Sequence, residues 1–394
     1  MVVDDMIFFS LLRYSIGASD EFPLEITEEM WHDIYIMAQQ QSLLGVLFDG
    51  IQRNAQSRPP RDLLLKWYAV SERIRKRNMM MNASAVDLEK YLMQNGFSTC
   101  ILKGQGNTLN YPNPYIRTSG DVDVWVKKME DGRWKRADGG RQMEDGRWKM
   151  EDGRWKREEM FVKEAIMFAR RRCPDAKACY HHVDAGAYKG VEVEIHYRPS
   201  FMNNMIHNKR MQRWFEEVKE EQFSHRVELP DGAGSICVPT HAFNRIYQLA
   251  HIYKHIIREG IGLRQFVDYY FVLKQGFTEE ERVADEMLLK SLGLYHVAAA
   301  VMYVLKEVLH LDDSLLLVPV DERRGKFLLK EIMLSGNFGQ YDQRVQGFYR
   351  HTSIGRNIER IRRDARLVWS FPSECMWEPV FRVYHYFWRL KNAR

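Results

Sequence analysis

The sequence predicts an α+β protein in which a short β-rich segment lies between two long helical regions. Apolar residues recur at helical spacing over 1–95 and again over 201–394. Between them, over 96–200, the pattern changes to the short apolar runs and the alternation that are typical of strands. We therefore divide the chain into these three regions.

The N-terminal region carries clear helix signals. Phe8 and Leu11 begin an apolar face at helical spacing, and Thr27 precedes two acidic residues in the manner of a helix start. The apolar pattern predicts a long helix over 63–92, which stops near an Asn-Gly pair at 95–96.

The central region alternates between strands and helices. Four strands are predicted, at 98–102, 121–126, 176–183 and 191–197, with a helix at 158–172. Lys103 and Gly104 form a turn that opens a further helix. In the C-terminal region, helices are predicted over 241–257, 263–273, 279–292 and 297–309, followed by a basic and aromatic tail.

A heptapeptide, Met-Glu-Asp-Gly-Arg-Trp-Lys, occurs three times, at 129–135, 143–149 and 150–156. Each copy contains a glycine that weakens a helix, its charges cancel, and it has no apolar stripe wide enough to pack. The pattern favours a solvated insert at about 128–157. The alternative is a base-stacking surface, since each tryptophan lies between Arg and Lys.

The bulk composition is that of a globular, cytoplasmic protein. An apolar fraction of 45% supports a sizeable core. The five cysteines form no CxxC pair, which argues against a zinc ribbon or a disulfide framework. No apolar run is long enough to span a bilayer. The net charge of +5 suits an anionic ligand without demanding nucleic acid.

Asp121 and Asp123 are the strongest candidates for chemistry. Alternate residues of a strand share a face, so both carboxylates point one way while Val122, Val124 and Val126 point into the core. Two neighbouring carboxylates repel unless a cation lies between them, and Mg²⁺ prefers such hard oxygen ligands. The alternative is an edge strand with two solvated acids.

Flanking residues add an anion site and further polar candidates. Lys103 and Gly104 present a cation and free backbone N–H groups to a phosphate, and Arg117 can bind one bidentately, although each also suits an ordinary turn or surface. Glu192, Glu194 and His196 share one face of the last central strand, which is also typical of a wet amphipathic strand.

The C-terminal region contributes two weaker patterns. His251 and His255 are four residues apart on a helix but lack the glutamate of a zinc-protease motif, which favours structural or substrate-contact roles over a metal site. The arginines and tryptophans of the tail are compatible with RNA or membrane binding, although a solvated helix face followed by core aromatics fits them better.

The chain resembles the uncharacterised nucleotidyltransferase family of the polymerase-β-like superfamily. The resemblance lies in the ordered combination of segments 101–104, 117–126 and 194–198, with the helical stretch 249–270. The resemblance implies a small mixed-sheet nucleotidyltransferase core flanked by helical regions. It also selects Glu194, two residues before His196, over Glu192 as the third acid. Gln105 follows Gly104 where the superfamily usually has Gly or Ser.

This resemblance implies an enzyme that moves a nucleoside monophosphate group from a nucleoside triphosphate to an unidentified acceptor, with Mg²⁺ or Mn²⁺ as cofactor. The implied catalytic and metal-binding residues are Asp121, Asp123 and Glu194. The implied nucleotide-binding residues are Lys103, Gly104 and Arg117. Substrate contacts are expected from His196, His251, His255 and Arg264. The alternatives are a non-catalytic nucleotide-binding or regulatory protein on the same fold and a basic RNA-binding protein.

Overall fold

The N-terminal region is helical, as its apolar spacing predicts. The computed structural model describes residues 3–23, 26–54, 57–129, 148–345 and 352–392. The first helices are α1 (Val3–Ser15), α2 (Glu28–Gln40), α3 (Leu44–Arg53) and α4 (Arg61–Gln94). Thr27 caps α2, because its side chain accepts a hydrogen bond from the Met30 backbone N–H.

A four-stranded mixed sheet forms the central region and confirms the predicted α+β class. Its strands are β1 (Phe97–Ile101), β2 (Val122–Lys128), β3 (His182–Tyr188) and β4 (Val191–His196). They lie in the order β1-β2-β4-β3, and β2 and β4 are parallel while both outer pairs are antiparallel. The short helix α5 (Gln105–Thr108) follows β1, and α6 (Trp148–Arg172) precedes β3.

The strand predicted at 176–183 is wrong for most of its length. The chain reverses before β3, because the Cys179 backbone N–H donates to the His182 carbonyl at 2.9 Å and Ala178 bridges Val183. Local apolar content does not reveal such a reversal. The connection between β3 and β4 is the tight turn at Lys189 and Gly190, whose φ angles are both positive.

Helix α6 begins at Trp148, ten residues before the predicted start at 158, so the third heptapeptide copy at 150–156 is helical, and the solvated insert at about 128–157 stays a prediction. The buried side chains of Val162, Ile166 and Ala169 pack α6 onto the sheet. A packed helix extends readily through the Lys, Arg and Glu that precede its apolar face. Residues 130–147, which hold most of the other two copies, lie outside the described residues.

The C-terminal region is mainly helical and contains a small hairpin that the sequence pattern did not predict. Its elements are α7 (Met205–Ser224), β5 (Arg226–Leu229), β6 (Gly234–Cys237), α8 (His241–Arg258), α9 (Leu263–Leu273), α10 (Glu279–Ser291), α11 (Tyr295–Leu309), α12 (Glu322–Ser335), α13 (Ser353–Leu367) and α14 (Pro372–Asn392). In the described ranges, no helix combines the length and apolar character that a membrane crossing requires.

Two hydrophobic clusters organise the described chain. One joins α1–α3 to α8–α12, so the two helical regions share a core. The other joins the sheet to the second half of α4, to α6 and to α14. Helix α4 links them, since Leu63 and Trp67 belong to the first cluster while Leu88 and Leu92 belong to the second.

Strand β2 is buried on both faces. Val122, Val124 and Val126 pack into the second cluster, as predicted. On the opposite face Trp125 belongs to the first cluster, and its ring meets aromatic rings of α7 and α8. Asp123 is only 1% exposed. The predicted alternative of a solvated edge strand is therefore wrong for Asp123, because helices cover both faces of the sheet.

Candidate active site

Three carboxylates meet where β2 and β4 run side by side. The parallel register pairs Asp123 with Glu194, and Asp121 directly precedes β2. Oxygen atoms of Asp121, Asp123 and Glu194 all lie within 4.8 Å of one another. Glu192 is exposed and does not belong to this group. The fold thus brings together the three acids that the sequence singled out.

His196 lies directly behind two of these acids. Its Nε2 is 3.0 Å from Asp123 Oδ1 and 3.1 Å from Glu194 Oε2, and its Nδ1 is 3.3 Å from the Arg198 carbonyl oxygen. The ring is only 2% exposed. Contact with substrate stays a prediction for this residue, whereas its present contacts suit it to orient the two carboxylates.

The turn at Lys103 and Gly104 lies beside the acids because β1 pairs with β2. The Leu102 backbone N–H donates to the Asp123 carbonyl at 2.9 Å, and Lys103 Nζ lies 3.0 Å from Asp123 Oδ2. Gly104 has a φ of 70°, a conformation that glycine adopts without strain. A basic residue and a backbone turn therefore adjoin the carboxylates.

The charges in this site stabilise one another. Burial acts to raise the pKa of Asp123, but Lys103 and His196 outweigh it and the pKa is lowered. Burial likewise opposes ionisation of Glu194, but the hydrogen bond from His196 and the charge of His182 lower its pKa to about 2. For Lys103, burial is outweighed by Asp123 and Asp121, which raise its pKa. At neutral pH Asp123 and Glu194 are therefore ionised and Lys103 is protonated.

These carboxylates fit a hard divalent cation. Asp123 Oδ2 is buried, and the group close to it is the Lys103 ammonium, 3.0 Å away. All three side chains offer oxygen ligands, which Mg²⁺ and Mn²⁺ prefer. Asp121, Asp123 and Glu194 are thus the residues that would hold the ion.

Arg117 is committed to a different partner from the one expected. Its Nε and Nη2 donate to the two carboxylate oxygens of Asp268 in α9, at 2.7 and 2.8 Å. Tyr111 donates to the same carboxylate at 2.7 Å. The arginine and the aspartate are both buried. This pair anchors the loop before β2 to α9, and a contact between Arg117 and nucleotide stays a prediction.

Arg264 lies close to the same loop. Its Nη1 donates to the Thr118 carbonyl at 2.8 Å, while its buried Nε has no hydrogen-bond partner among the described residues. Burial and the neighbouring charge of Arg117 lower its pKa to about 10. Arg264 therefore contacts the loop at Thr118, three residues before Asp121, and keeps one donor without a hydrogen-bond partner among the described residues.

Helix α8 supplies a polar face to the site. His251 Nε2 is 3.4 Å from Lys103 Nζ and 3.0 Å from His255 Nε2. Burial and the charge of Lys103 hold the pKa of His251 well below its usual range, so this ring is neutral. Neither histidine belongs to a group of three close metal-ligating residues in the described ranges. Their arrangement suits a brace for Lys103.

Several residues of this neighbourhood were not predicted from the sequence. The buried Tyr247 hydroxyl has no hydrogen-bond partner among the described residues, and burial with the nearby acids raises the pKa of Tyr247 well above its usual range. Lys254 Nζ lies 3.2 Å from His181 Nε2, and His182 Nδ1 lies 3.3 Å from Glu194 Oε2. The spacing of Tyr247, His251 and Lys254 along one helix face was the available signal.

Comparison with known families defines the class of this chain. The model of the uncharacterised nucleotidyltransferase family matches residues 27–310, a span that contains the sheet, the three acids and α8. The chain belongs to this family. Comparisons with curated proteins and with solved structures gave no match.

Proposed function

We propose that this protein is a Mg²⁺- or Mn²⁺-dependent enzyme that moves a nucleoside monophosphate group from a nucleoside triphosphate to an acceptor. The observation that carries the proposal is the meeting of Asp121, Asp123 and Glu194 on neighbouring strands, with all three oxygen donors within 4.8 Å. A bound divalent ion supplies charge neutralisation at the phosphates. Membership of a nucleotidyltransferase family supports the reaction class.

In this proposal the acids bind the metal ion and His196 orients two of them. Asp123 and Glu194 present ionised oxygens, and His196 fixes their orientation through its two close contacts. Orientation matters because phosphoryl-group transfer depends mainly on positioning and charge stabilisation. In this proposal the acids keep those positions before substrate arrives.

The triphosphate contacts the Lys103–Gly104 turn in this proposal. Lys103 provides a cation within reach of the acids, since its Nζ lies 3.0 Å from Asp123 Oδ2. Arg264 is the second cation, because its buried Nε has no hydrogen-bond partner among the described residues and an anionic oxygen would satisfy it. His251 holds Lys103 on the acid side of the turn.

A screen of the four common nucleoside triphosphates tests the proposal. Pyrophosphate release should require Mg²⁺ or Mn²⁺, should stop with a chelator, and should leave a mass increment on the acceptor that mass spectrometry identifies. Asp121→Asn and Asp123→Asn should each weaken Mn²⁺ binding, because each removes a ligand. Unchanged Mn²⁺ affinity in both folded variants, or nucleotide binding without any pyrophosphate release, would contradict the proposed enzyme.

A further inference from the structure

A second group of ligating side chains lies next to the three acids. Contacts lead from Glu194 Oε2 to His182 Nδ1 at 3.3 Å, from there to His181 Nε2 at 3.1 Å, and from His181 Nδ1 to Cys179 Sγ at 3.3 Å. We name Cys179, His181 and His182 the thiol–imidazole cluster. Its chemistry is softer than that of the three acids.

The turn before β3 assembles this cluster. The Cys179 backbone N–H donates to the His182 carbonyl at 2.9 Å, which places these two residues at the ends of a tight turn. Pairing of His182 with His196 joins the end of the turn to β4. Backbone hydrogen bonds therefore fix the positions from which the three side chains leave the chain.

We propose that the thiol–imidazole cluster is a binding site for a transition-metal ion of the Zn²⁺ class, separate from the carboxylate site. One ligand atom from each of its three residues lies within 4.8 Å of the others. Tetrahedral Zn²⁺ with bonds of about 2.3 Å to sulfur and about 2.0 Å to nitrogen holds those two ligands roughly 3.5 Å apart. The observed separation of Cys179 Sγ and His181 Nδ1 is 3.3 Å.

His182 has the outer partner expected of a metal-binding histidine. Its Nε2 lies 3.2 Å from Asp184 Oδ1, so this carboxylate can hold the ring and leave Nδ1 as the ligand. On the other histidine, Nδ1 faces the thiol at 3.3 Å, and Lys254 Nζ lies 3.2 Å from Nε2. Metal binding at His181 Nδ1 makes Nε2 an N–H donor, so the Lys254 ammonium has to turn away from it. The outer acceptor that suits a metal-binding imidazole therefore lies on His182.

The surrounding charges accommodate a divalent ion. Lys254 opposes a cation at the cluster, but the Cys179 thiolate and the carboxylates of Asp184 and Glu194 offset both the ion and the ammonium. Three protein ligands leave a fourth position of a tetrahedral ion for water. A bound ion would fix His182 against Glu194, which links this cluster to the acids without requiring nucleotide transfer.

Cobalt substitution tests this site directly. The full chain is stripped of metal with a chelator and titrated with Co²⁺, which takes the same ligands as Zn²⁺ and gives a thiolate-to-cobalt charge-transfer band. We expect a saturable band at one ion per chain that Zn²⁺ abolishes. Cys179→Ser should eliminate the band, and Asp184→Asn should keep it while weakening affinity by about ten- to a hundredfold.

Two controls separate this site from other thiols and from the acids. Cys173→Ser removes a nearby cysteine outside the cluster and should leave the band intact. Asp121→Asn should also leave it intact, so the result is independent of the proposed transferase activity. The proposal would be overturned if the unsubstituted chain gave no thiolate-to-cobalt band, or if the band persisted in Cys179→Ser. The measurement on the unsubstituted chain does not depend on the folding of any variant.

Discussion

Glu192 and Glu194 differ by environment and not by residue type. Both alternate onto one face of β4, but Glu194 pairs with Asp123 across the parallel register while Glu192 is exposed. His196 Nε2 lies 3.1 Å from Glu194 Oε2, and no hydrogen bond of the described residues joins His196 to Glu192. A single strand therefore contains an acid that lies in the candidate site and a matched acid outside it.

We predict that Glu194→Gln lowers metal-dependent turnover on the order of a hundredfold more than Glu192→Gln. The reason is that metal-ion charge contributes several kcal/mol to transition-state stabilisation, and only Glu194 is placed to hold the ion. Steady-state pyrophosphate release measures the difference, with circular dichroism to verify folding. Greater damage from Glu192→Gln would require a different third ligand.

Glu374, in the first turn of α14, predicts a pH effect on stability. Burial raises its pKa from 4.5 to about 7, although the Asn203 and Asn204 backbone N–H groups donate to its carboxylate. The pKa of Glu374 is higher in the folded protein than in the unfolded chain. The contribution of Glu374 to the free energy of unfolding is therefore complete below pH 4.5 and is lost as the pH rises from there to about 7. The loss amounts to roughly 3 kcal/mol at most.

The stability of Glu374→Gln relative to the unsubstituted chain should therefore increase as the pH rises from 5 to 8. The reason is that the amide keeps an acceptor oxygen and carries no charge. Urea unfolding at several pH values measures this difference. Glu280→Gln, at an exposed position, is the control and should show no such trend. A stability difference for Glu374→Gln that does not change with pH would refute the assigned cause.

The loop before β2 depends on a buried ion pair with α9. Arg117 and Asp268 form two hydrogen bonds, and Asn78 in α4 donates to the Tyr115 and Arg117 carbonyls at 3.0 and 2.9 Å. The loop thereby connects α4, α9 and the start of β2. This anchoring explains how a long segment without regular structure can deliver Asp121 at a defined position.

We expect Arg117→Met or Asp268→Leu alone to lower the free energy of unfolding by about 3–5 kcal/mol, because each leaves one buried charge unpaired. The double variant should lose less than the sum of the two, since it removes both charges of the pair together and leaves neither without the other. Urea denaturation measures all three. The exposed pair of Lys326 and Glu322 is the control, where Glu322→Gln should leave the free energy of unfolding nearly unchanged. Additive losses at the buried pair would exclude this account.

Element boundaries show where local patterns suffice. The predicted helix over 263–273 coincides with α9, and those over 241–257 and 279–292 agree with α8 and α10 to one residue. Their apolar spacing and caps are local, as with Thr240, which accepts from the Phe243 backbone N–H. The strand predicted at 176–183 fails because a hydrogen-bonded reversal at Cys179–His182 overrides apolar content.

Removing the heptapeptide repeats tests whether they contribute to the stability or activity of the whole molecule. We predict that deleting 130–147 changes the melting temperature little and preserves any transferase activity. Each copy is charge-balanced and glycine-containing, and changing the length of a connection alters its closure entropy only slowly. A Gly-Ser linker of equal length is the control. If both the deletion and the linker variant melt far below the unsubstituted chain, the repeats pack or contact substrate.

The two hydrophobic clusters define how the regions cooperate. Helices from both ends of the chain share one core, and α4 continues from it into the core of the sheet. Asp123 lies where they meet, because its neighbours Val122 and Val124 belong to the sheet core while Trp125, on the same face of β2 as Asp123, belongs to the helical core. Covering β2 on both faces is what buries a carboxylate and makes a compensating cation necessary.

The sequence by itself determined the α+β class, most helices, and the shared face of Asp121 and Asp123. Those features follow from periodicity and residue type, which act within a few residues. Tertiary structure alone decided that Arg117 pairs with Asp268 and that Cys179 joins two histidines. It also places Glu194, which the family resemblance had selected over Glu192, beside the two aspartates. Each of these depends on strand register or helix packing across the chain, and local spacing contains no information on which distant surface a side chain will meet.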